Sequence, residues 1–157
     1  MTAEAIEWLL AGHELFRDLG DAHLARMAAC AAEIEIPAGG HLFREGQSAD
    51  RCHLLREGLV ALEVFDPGRG ALVVDTVGSG DVVGLSWLIP PHRWQLDAHA
   101  MQPVRSVALD AACIRDACDA DPRLGYELTR RIIRVMWRRT QSARLRLLDV
   151  YGDVQPR

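Results

Sequence analysis

The 157-residue sequence contains no lysine, no long apolar run and no cysteine pair of the metal-binding C-x-x-C kind. All 18 basic residues are arginine, and the phosphate loop G-x-x-x-x-G-K is absent. No apolar stretch approaches the roughly 18 residues that cross a bilayer. The acidic start "MTAEAIEWLLAGHELF" lacks the basic residues and the cleavage site of a signal peptide, so we expect a cytoplasmic protein with no membrane contact.

Candidate catalytic and metal-binding groups are also scarce. No nucleophile and base stand at a suggestive spacing, so we expect a non-enzymatic protein. The cysteines are scattered in mostly apolar settings, which predicts reduced structural thiols; they are Cys30, Cys52, Cys113 and Cys118. No histidine pair has the spacing of metal ligands on a helix, which argues against a haem or metal site; the histidines considered are His41, His53, His92 and His99.

Positive charge is concentrated near the end of the sequence. Eight of the 18 arginines lie between Arg123 and Arg146, where Glu127 is the single acid, although the whole chain has a net charge of -4. A basic helix of this kind indicates a solvated surface, an acidic protein partner or non-specific binding to nucleic acid. The sequence leaves these three interpretations open.

Sequence patterns divide the chain into short helices, short strands and a final long helix. Apolar residues at helical spacing predict a helix over Ala3 to Ala11, and Asp21 is expected to cap a second one. From Ile34 to Leu109, short β-favouring runs alternate with glycine-bearing turns, which predicts a small antiparallel sandwich or roll. The segment from Asp110 to Cys118 predicts another short helix.

The last helix carries two apolar stripes. Asp121 followed by Pro122 is a strong start signal, and the helix should end near Val150. One stripe is expected to face the roll: Leu124, Leu128, Ile132 and Val135. The other has the spacing of a coiled-coil seam and predicts a homodimer: Ile133, Met136, Thr140, Ala143, Leu147 and Val150. A single wide stripe that faces the core is the alternative.

Six segments occur in a recognisable order: "HELFRDL", "AGGHLFREG", "LLREGLVAL", "GDVVG", "DPRLGYELTRRI" and "LRLLDVYG". Over about residues 13 to 150, their order and spacing resemble the cyclic-nucleotide-binding domain of the Crp/Fnr (catabolite activator) family. The resemblance implies a mainly β fold, an eight-stranded antiparallel, jelly-roll-like β-roll with flanking helices. Residues 1–120 would hold the first helices and the roll, residues 121–150 the dimerisation helix of the same domain, and residues 151–157 a tail.

Family members that regulate genes carry a helix-turn-helix domain after the segment that resembles "LRLLDVYG". Only seven residues follow Val150 in this sequence. We therefore expect a stand-alone sensor domain that has no sequence-specific DNA binding of its own.

The resemblance places a phosphate-binding cassette at Gly84 to Ala100. In the family, a glutamate just after the glycine binds the ribose hydroxyl, and an arginine about ten residues on pairs with the phosphate. An alignment without gaps puts Leu85 at the glutamate position and Trp94 at the arginine position, with Arg93 one residue early. The expected ligand contacts are Gly84, Leu85, Ser86, Trp87, Arg93, Trp94 and Gln95, with Thr140 added from the long helix. The two tryptophans either fill the core or contact the ligand.

The resemblance therefore implies a regulatory sensor domain that signals through a dimer helix. Its altered cassette is expected to bind a cyclic nucleotide (cAMP or cGMP) weakly, or to take another small anionic ligand. The alternative is a protein-interaction module with a non-functional nucleotide pocket. A non-specific nucleic-acid binder that uses the arginines of the long helix is the third hypothesis.

Overall fold

Two four-stranded antiparallel sheets form the body of the protein, and helices flank them. The computed structural model describes residues 1–152. The strands are β1 (Ala31–Ile36), β2 (His41–Phe43), β3 (Arg51–Glu57), β4 (Val60–Asp66), β5 (Gly70–Val77), β6 (Val82–Val83), β7 (Asp97–Ala100) and β8 (Val104–Asp110). The helices are α1 (Ala3–Gly12), α2 (Asp21–Ala28), α3 (Ala111–Ala120) and α4 (Pro122–Tyr151). The predicted mainly β fold with a long last helix is confirmed.

The strand order brings segments that are distant in sequence together. One sheet has the order β1-β8-β3-β6 and the other β2-β7-β4-β5. In the centre of the first sheet, β3 buries the four consecutive residues 52–55, because its outer face is also covered, in part by α3. The edge strand β5 alternates partly buried and exposed residues over much of its length instead. The core therefore lies between the sheets and extends under the helices.

Helix α4 begins where its sequence signals predict. The Asp121 side chain accepts hydrogen bonds from the backbone N–H groups of Arg123 and Leu124, and Pro122 occupies the first turn. The stripe expected to face the roll is the buried face of the helix: Leu124, Leu128, Ile132 and Val135. The second stripe is exposed, so the alternative of one wide core-facing stripe is wrong.

Several arginines of the basic helix are engaged within the domain. Arg131 donates to the carbonyl oxygen of Arg17 at 2.8 Å, and Arg146 pairs with Asp75 on β5 at 3.2 Å. Arg138 pairs with Glu14 in the segment after α1. These arginines therefore bond α4 to the roll and to the segment between α1 and α2.

Two expectations about local structure were wrong. Cys30 and Cys113 form a disulfide across 83 residues of sequence, while Cys52 and Cys118 are free. The fold brings the first two together because β1 pairs with β8, which leads directly into α3. Asp21 is the first residue of α2 and not its cap, since Gly20 holds that position without a side-chain hydrogen bond.

The remaining boundaries follow the sequence closely. The first strand starts at Ala31, three residues before the predicted β region. Of the predicted tail, Tyr151 still belongs to α4, and residues 153–157 lie outside the described residues. Across residues 1–152, no helix combines the length and the apolar character needed to cross a bilayer.

Candidate functional site: the cavity between the Gly84 turn and the long helix

The segment that leaves β6 makes a tight turn before it rejoins the second sheet. Gly84 has a φ of +88°, in the left-handed region that favours glycine. A single turn of 3-10 helix follows at Ser86–Leu88, and then a cis peptide bond between Pro90 and Pro91. An isolated bridge between Ser48 and Arg93 returns the chain to the roll. The segment therefore projects from the sheets as a loop that is anchored at both ends.

A cavity of about 410 Å³ lies where this loop, both sheets and α4 meet. Most of the predicted ligand contacts line it: Gly84, Leu85, Ser86, Arg93, Trp94, Gln95 and Thr140. Phe43, Leu62 and Val83 add walls from three strands, and Met136 adds one from the helix. We call this space the cassette cavity; its volume is within the range of about 300–1,000 Å³ that is typical of small-molecule sites.

Trp94 forms one wall of the cassette cavity. Its side chain is only 3% exposed and stacks on Phe43, with ring centroids 3.8 Å apart and planes inclined by 12°. A Cβ atom at Gly84 would lie 2.7 Å from Cη2 of the Trp94 ring, so the indole lies directly against the backbone of Gly84. The chain at Gly84 therefore needs a glycine for two reasons, its φ and the space that the indole occupies.

Three polar side chains that line the cassette cavity each donate a hydrogen bond to the protein's own backbone. Nη1 of Arg93 donates to the carbonyl oxygen of Gly46 at 2.8 Å, and Nε2 of Gln95 donates to the carbonyl oxygen of Arg93 at 3.2 Å. The Thr140 hydroxyl donates to the carbonyl oxygen of Met136 at 3.0 Å, one turn back along the helix. Each of these three side chains is therefore fixed by one bond to the backbone, while the rest of its hydrogen-bonding groups remain free.

Arg139 is a cavity residue that the sequence did not indicate. It donates to the carbonyl oxygen of Val82. Burial lowers the pKa of Arg139, while the carboxylates of Asp81 and Asp75 act in the opposite direction. Only the path of α4 across β6 and β5 brings these groups together, so no local pattern could have identified them.

Trp87, in contrast, does not line the cassette cavity. It is buried on the other side of the turn, where its carbonyl oxygen accepts a hydrogen bond from Nη1 of Arg115 at 2.8 Å. Burial raises the pKa of the nearby Cys52 thiol to about 12, although the Trp87 indole acts in the opposite direction. The structure thus separates the two tryptophans of the segment, with Trp87 packed behind the turn and Trp94 on the cavity wall.

The histidines considered as ligands are dispersed over the roll. The rings of His41 and His99 stack with centroids 4.9 Å apart, and His99 lies 3.1 Å from Glu63. His53 is buried within 3.3 Å of the Ser106 hydroxyl, and burial lowers its pKa to about 4. Within the described residues there is no group of three or more histidine, cysteine or acidic side chains that could hold a metal ion.

The β-roll presents a glycine-bounded loop to a long C-terminal helix, with a cavity between them. Residues 33–121 match the family model of the cyclic nucleotide-binding domain, and the chain belongs to this family.

Relatives of known name and structure agree with this assignment. The chain is 23% identical over 150 residues to the CRP-like cAMP-activated global transcriptional regulator of Mycobacterium tuberculosis. The aligned region is 95% of this chain but only 65% of that protein. The solved N-terminal domain of a transcriptional regulator from Streptomyces coelicolor is 27% identical, with a TM-score of 0.68 over 86% of this chain and 94% of that one.

A cyclic nucleotide-binding domain from Methylobacillus flagellatus superposes with a TM-score of 0.78 over 94% of this chain and 83% of that one. At 20% sequence identity this likeness concerns the fold alone.

Proposed function

We propose that this protein is a non-enzymatic, dimeric sensor domain whose altered cassette binds ordinary cyclic nucleotides weakly or takes a different ligand. The observation that carries the proposal is the Trp94 indole, which lies against Gly84 at the start of the loop. In the family, that loop holds the phosphate of the nucleotide. An apolar ring in this place supplies no positive charge to a phosphate.

Leu85 and Arg93 support the same conclusion. Leu85 directly follows Gly84 and offers no acceptor for a ribose hydroxyl. Arg93, the nearest cation in the loop, is exposed and already donates to Gly46. The two charged hydrogen bonds that the family's glutamate makes with the ribose and its arginine makes with the phosphate are then missing, and each is worth roughly 1.5–3 kcal/mol. Their loss lowers nucleotide affinity by about two to four orders of magnitude if the contributions add.

Helix α4 is the proposed output of the sensor. Met136 and Thr140 line the cassette cavity and also belong to the exposed stripe predicted to pair with a second copy. Filling the cavity would change the packing of these residues, and a change in the position of α4 would reach the partner directly. The apolar, exposed side chains of Ile133 and Leu147 on the same stripe support its use as an interface.

Thermal unfolding in the presence of cyclic AMP and cyclic GMP tests the ligand part of the proposal. A ligand at a hundred times its Kd adds about 2.7 kcal/mol, which raises the Tm of a domain of this size by about 5–11 °C. We expect neither nucleotide at millimolar concentration to produce such a shift. A full shift at micromolar cyclic AMP would refute the altered cassette.

The dimer is tested by light scattering coupled to gel filtration. Leu147→Glu places a charge in the proposed seam and should convert a wild-type dimer to a monomer. Leu145→Glu is the matched control, because Leu145 lies two residues away on α4, off the seam, and is similarly exposed, at 63% against 56% for Leu147. A monomeric wild type, or dimers in both variants, would refute the seam.

The internal hydrogen bonds of the cavity side chains also favour a second candidate function. Arg93, Gln95 and Thr140 bond to the protein's own backbone, so these side chains are held in place without a ligand. The domain would then act as a protein-interaction module. A wild-type protein that dimerises but responds to no small molecule would favour this function over the sensor.

A further inference from the structure

The cassette cavity has the chemistry of a site for an apolar molecule, and this inference rests on the sensor function proposed above. We infer that its ligand is a small, uncharged and largely apolar compound that carries a flat ring system. Three features of the cavity point to such a ligand: its apolar walls, the bonds of the two arginines that border it, and the stacked rings of Phe43 and Trp94.

The walls of the cavity are mainly hydrocarbon. Strands contribute Leu62 and Val83, the loop contributes Leu85 and Ile89, and the helix contributes Met136. Removing apolar surface from water is favourable. A ligand with an apolar surface therefore gains affinity from most of its contacts, whereas a polar one finds few replacements for its bonds to water along these walls.

Each of the two arginines at the cavity is already held by a hydrogen bond to a backbone carbonyl oxygen. Arg93 donates to the Gly46 carbonyl oxygen. Arg139 donates to the Val82 carbonyl oxygen, and the carboxylates of Asp81 and Asp75 already attract its positive charge. A buried anion is costly unless it is paired and hydrogen-bonded. An anion would therefore have to pair with Arg93, which is exposed to water, or draw Arg139 away from Val82 and its acidic neighbours. An uncharged ligand needs neither, and the ligand is taken to be uncharged for this reason.

The aromatic wall explains the preference for a flat ring. Phe43 and Trp94 stack nearly in parallel, with planes inclined by 12°. Both side chains line the cavity. A further aromatic ring gains from edge or offset contacts with such a pair, in addition to the gain from the area that it buries. The Met136 thioether adds a polarizable contact from the helix, which aromatic rings also favour.

Two fluorescent probes test the inference, because they share one ring system and differ in charge. N-phenylnaphthylamine is neutral, and anilinonaphthalene sulfonate is the same molecule with an added sulfonate. We expect one saturable site per chain for the neutral probe, with an affinity about tenfold or more above that of the sulfonate. Equal or tighter binding of the sulfonate, or no binding of the neutral probe, would overturn the inference.

A pair of matched variants locates the binding site. Ile89→Trp fills the cavity from its half-exposed rim and should weaken binding of the neutral probe about tenfold. Val73→Trp is the control, since Val73 is exposed to a similar extent, 56% against 51% for Ile89, and does not line the cavity. Should Ile89→Trp fail to fold, Leu85→Trp fills the same space from the loop. Equal binding to the wild type and to every folded variant would place the probe elsewhere and overturn the inference.

Cyclic AMP separates a failure of the inference from a failure of the proposed function. If cyclic AMP stabilises the protein and the neutral probe does not bind, the ligand class is wrong while a ligand-sensing role remains. If neither compound binds, the inference fails, whereas the sensor function, which already expects weak binding of cyclic AMP, is not refuted by this result. Binding of the neutral probe that Ile89→Trp weakens and Val73→Trp does not supports both.

Discussion

Trp94 offers the sharpest test of how the cassette cavity is built. Its side chain is 3% exposed and contacts both Phe43 and the backbone of Gly84. Replacing a buried tryptophan by alanine costs about 3–5 kcal/mol, which combines the lost transfer free energy and the cavity left behind. For a domain of this size, Trp94→Ala should lower the Tm by about 6–20 °C.

The measurement is urea and thermal unfolding followed by far-UV circular dichroism. Trp8→Ala is the matched control, because the Trp8 side chain is 77% exposed on α1 and its loss should change the free energy of unfolding by at most about 0.5 kcal/mol. If Trp94→Ala proves as mild as Trp8→Ala, the indole does not fill the core. The argument that it closes the phosphate position would then fail.

Three further predictions concern glycine, histidine and cysteine. Gly84→Ala and Gly46→Ala both force alanine to a positive φ, at a cost of about 1–2 kcal/mol in the free energy of unfolding. In chemical unfolding, Gly84→Ala should lose about 1–3 kcal/mol more than Gly46→Ala, because only at Gly84 would the new Cβ meet a ring. Equal losses would contradict the contact between Gly84 and Trp94. The pKa of His53 is about 4 in the folded protein against 6.5 for a free histidine, so the unfolded chain takes up the proton first as the pH falls. The stability that neutral His53 supplies is present above pH 6.5 and should decline by up to about 3 kcal/mol towards pH 4; unfolding of His53→Phe should depend less on pH, and an unchanged slope would refute the assignment. Reduction of the Cys30–Cys113 disulfide should lower the free energy of unfolding by about 2–4 kcal/mol. The variant with serine at both positions is the control, and its free energy of unfolding should not change with reductant. An unchanged free energy of unfolding of the wild type in reductant would contradict the bond.

Local signals in the sequence predicted the framework of the fold. The capped start of α4 at Asp121 and its buried stripe required only residues that are neighbours along the helix. The strands likewise follow β-favouring runs that end at glycine-bearing turns. The family resemblance placed the loop after Gly84 next to the helix, and seven of the eight residues expected to contact a ligand line one cavity.

Features that depend on the path of the chain could not be predicted in the same way. Trp87 and Trp94 are seven residues apart, and the two sides of the turn that receive them are set by packing against Cys52 and Phe43. The disulfide joins the turn after α2 to the first turn of α3, and these become neighbours only after β1 pairs with β8. The arginines of α4 gave a charge pattern, but several of their partners lie far away in sequence, as Glu14 does from Arg138.

Met136 belongs both to the wall of the cassette cavity and to the exposed stripe of α4. If α4 pairs with a second copy, one side chain takes part in two binding equilibria. Thermodynamic linkage then requires that dimerisation change ligand affinity by the same factor by which the ligand changes dimerisation. The apparent Kd of any ligand of the cavity should therefore vary with protein concentration, so that the response of this domain depends on its own abundance.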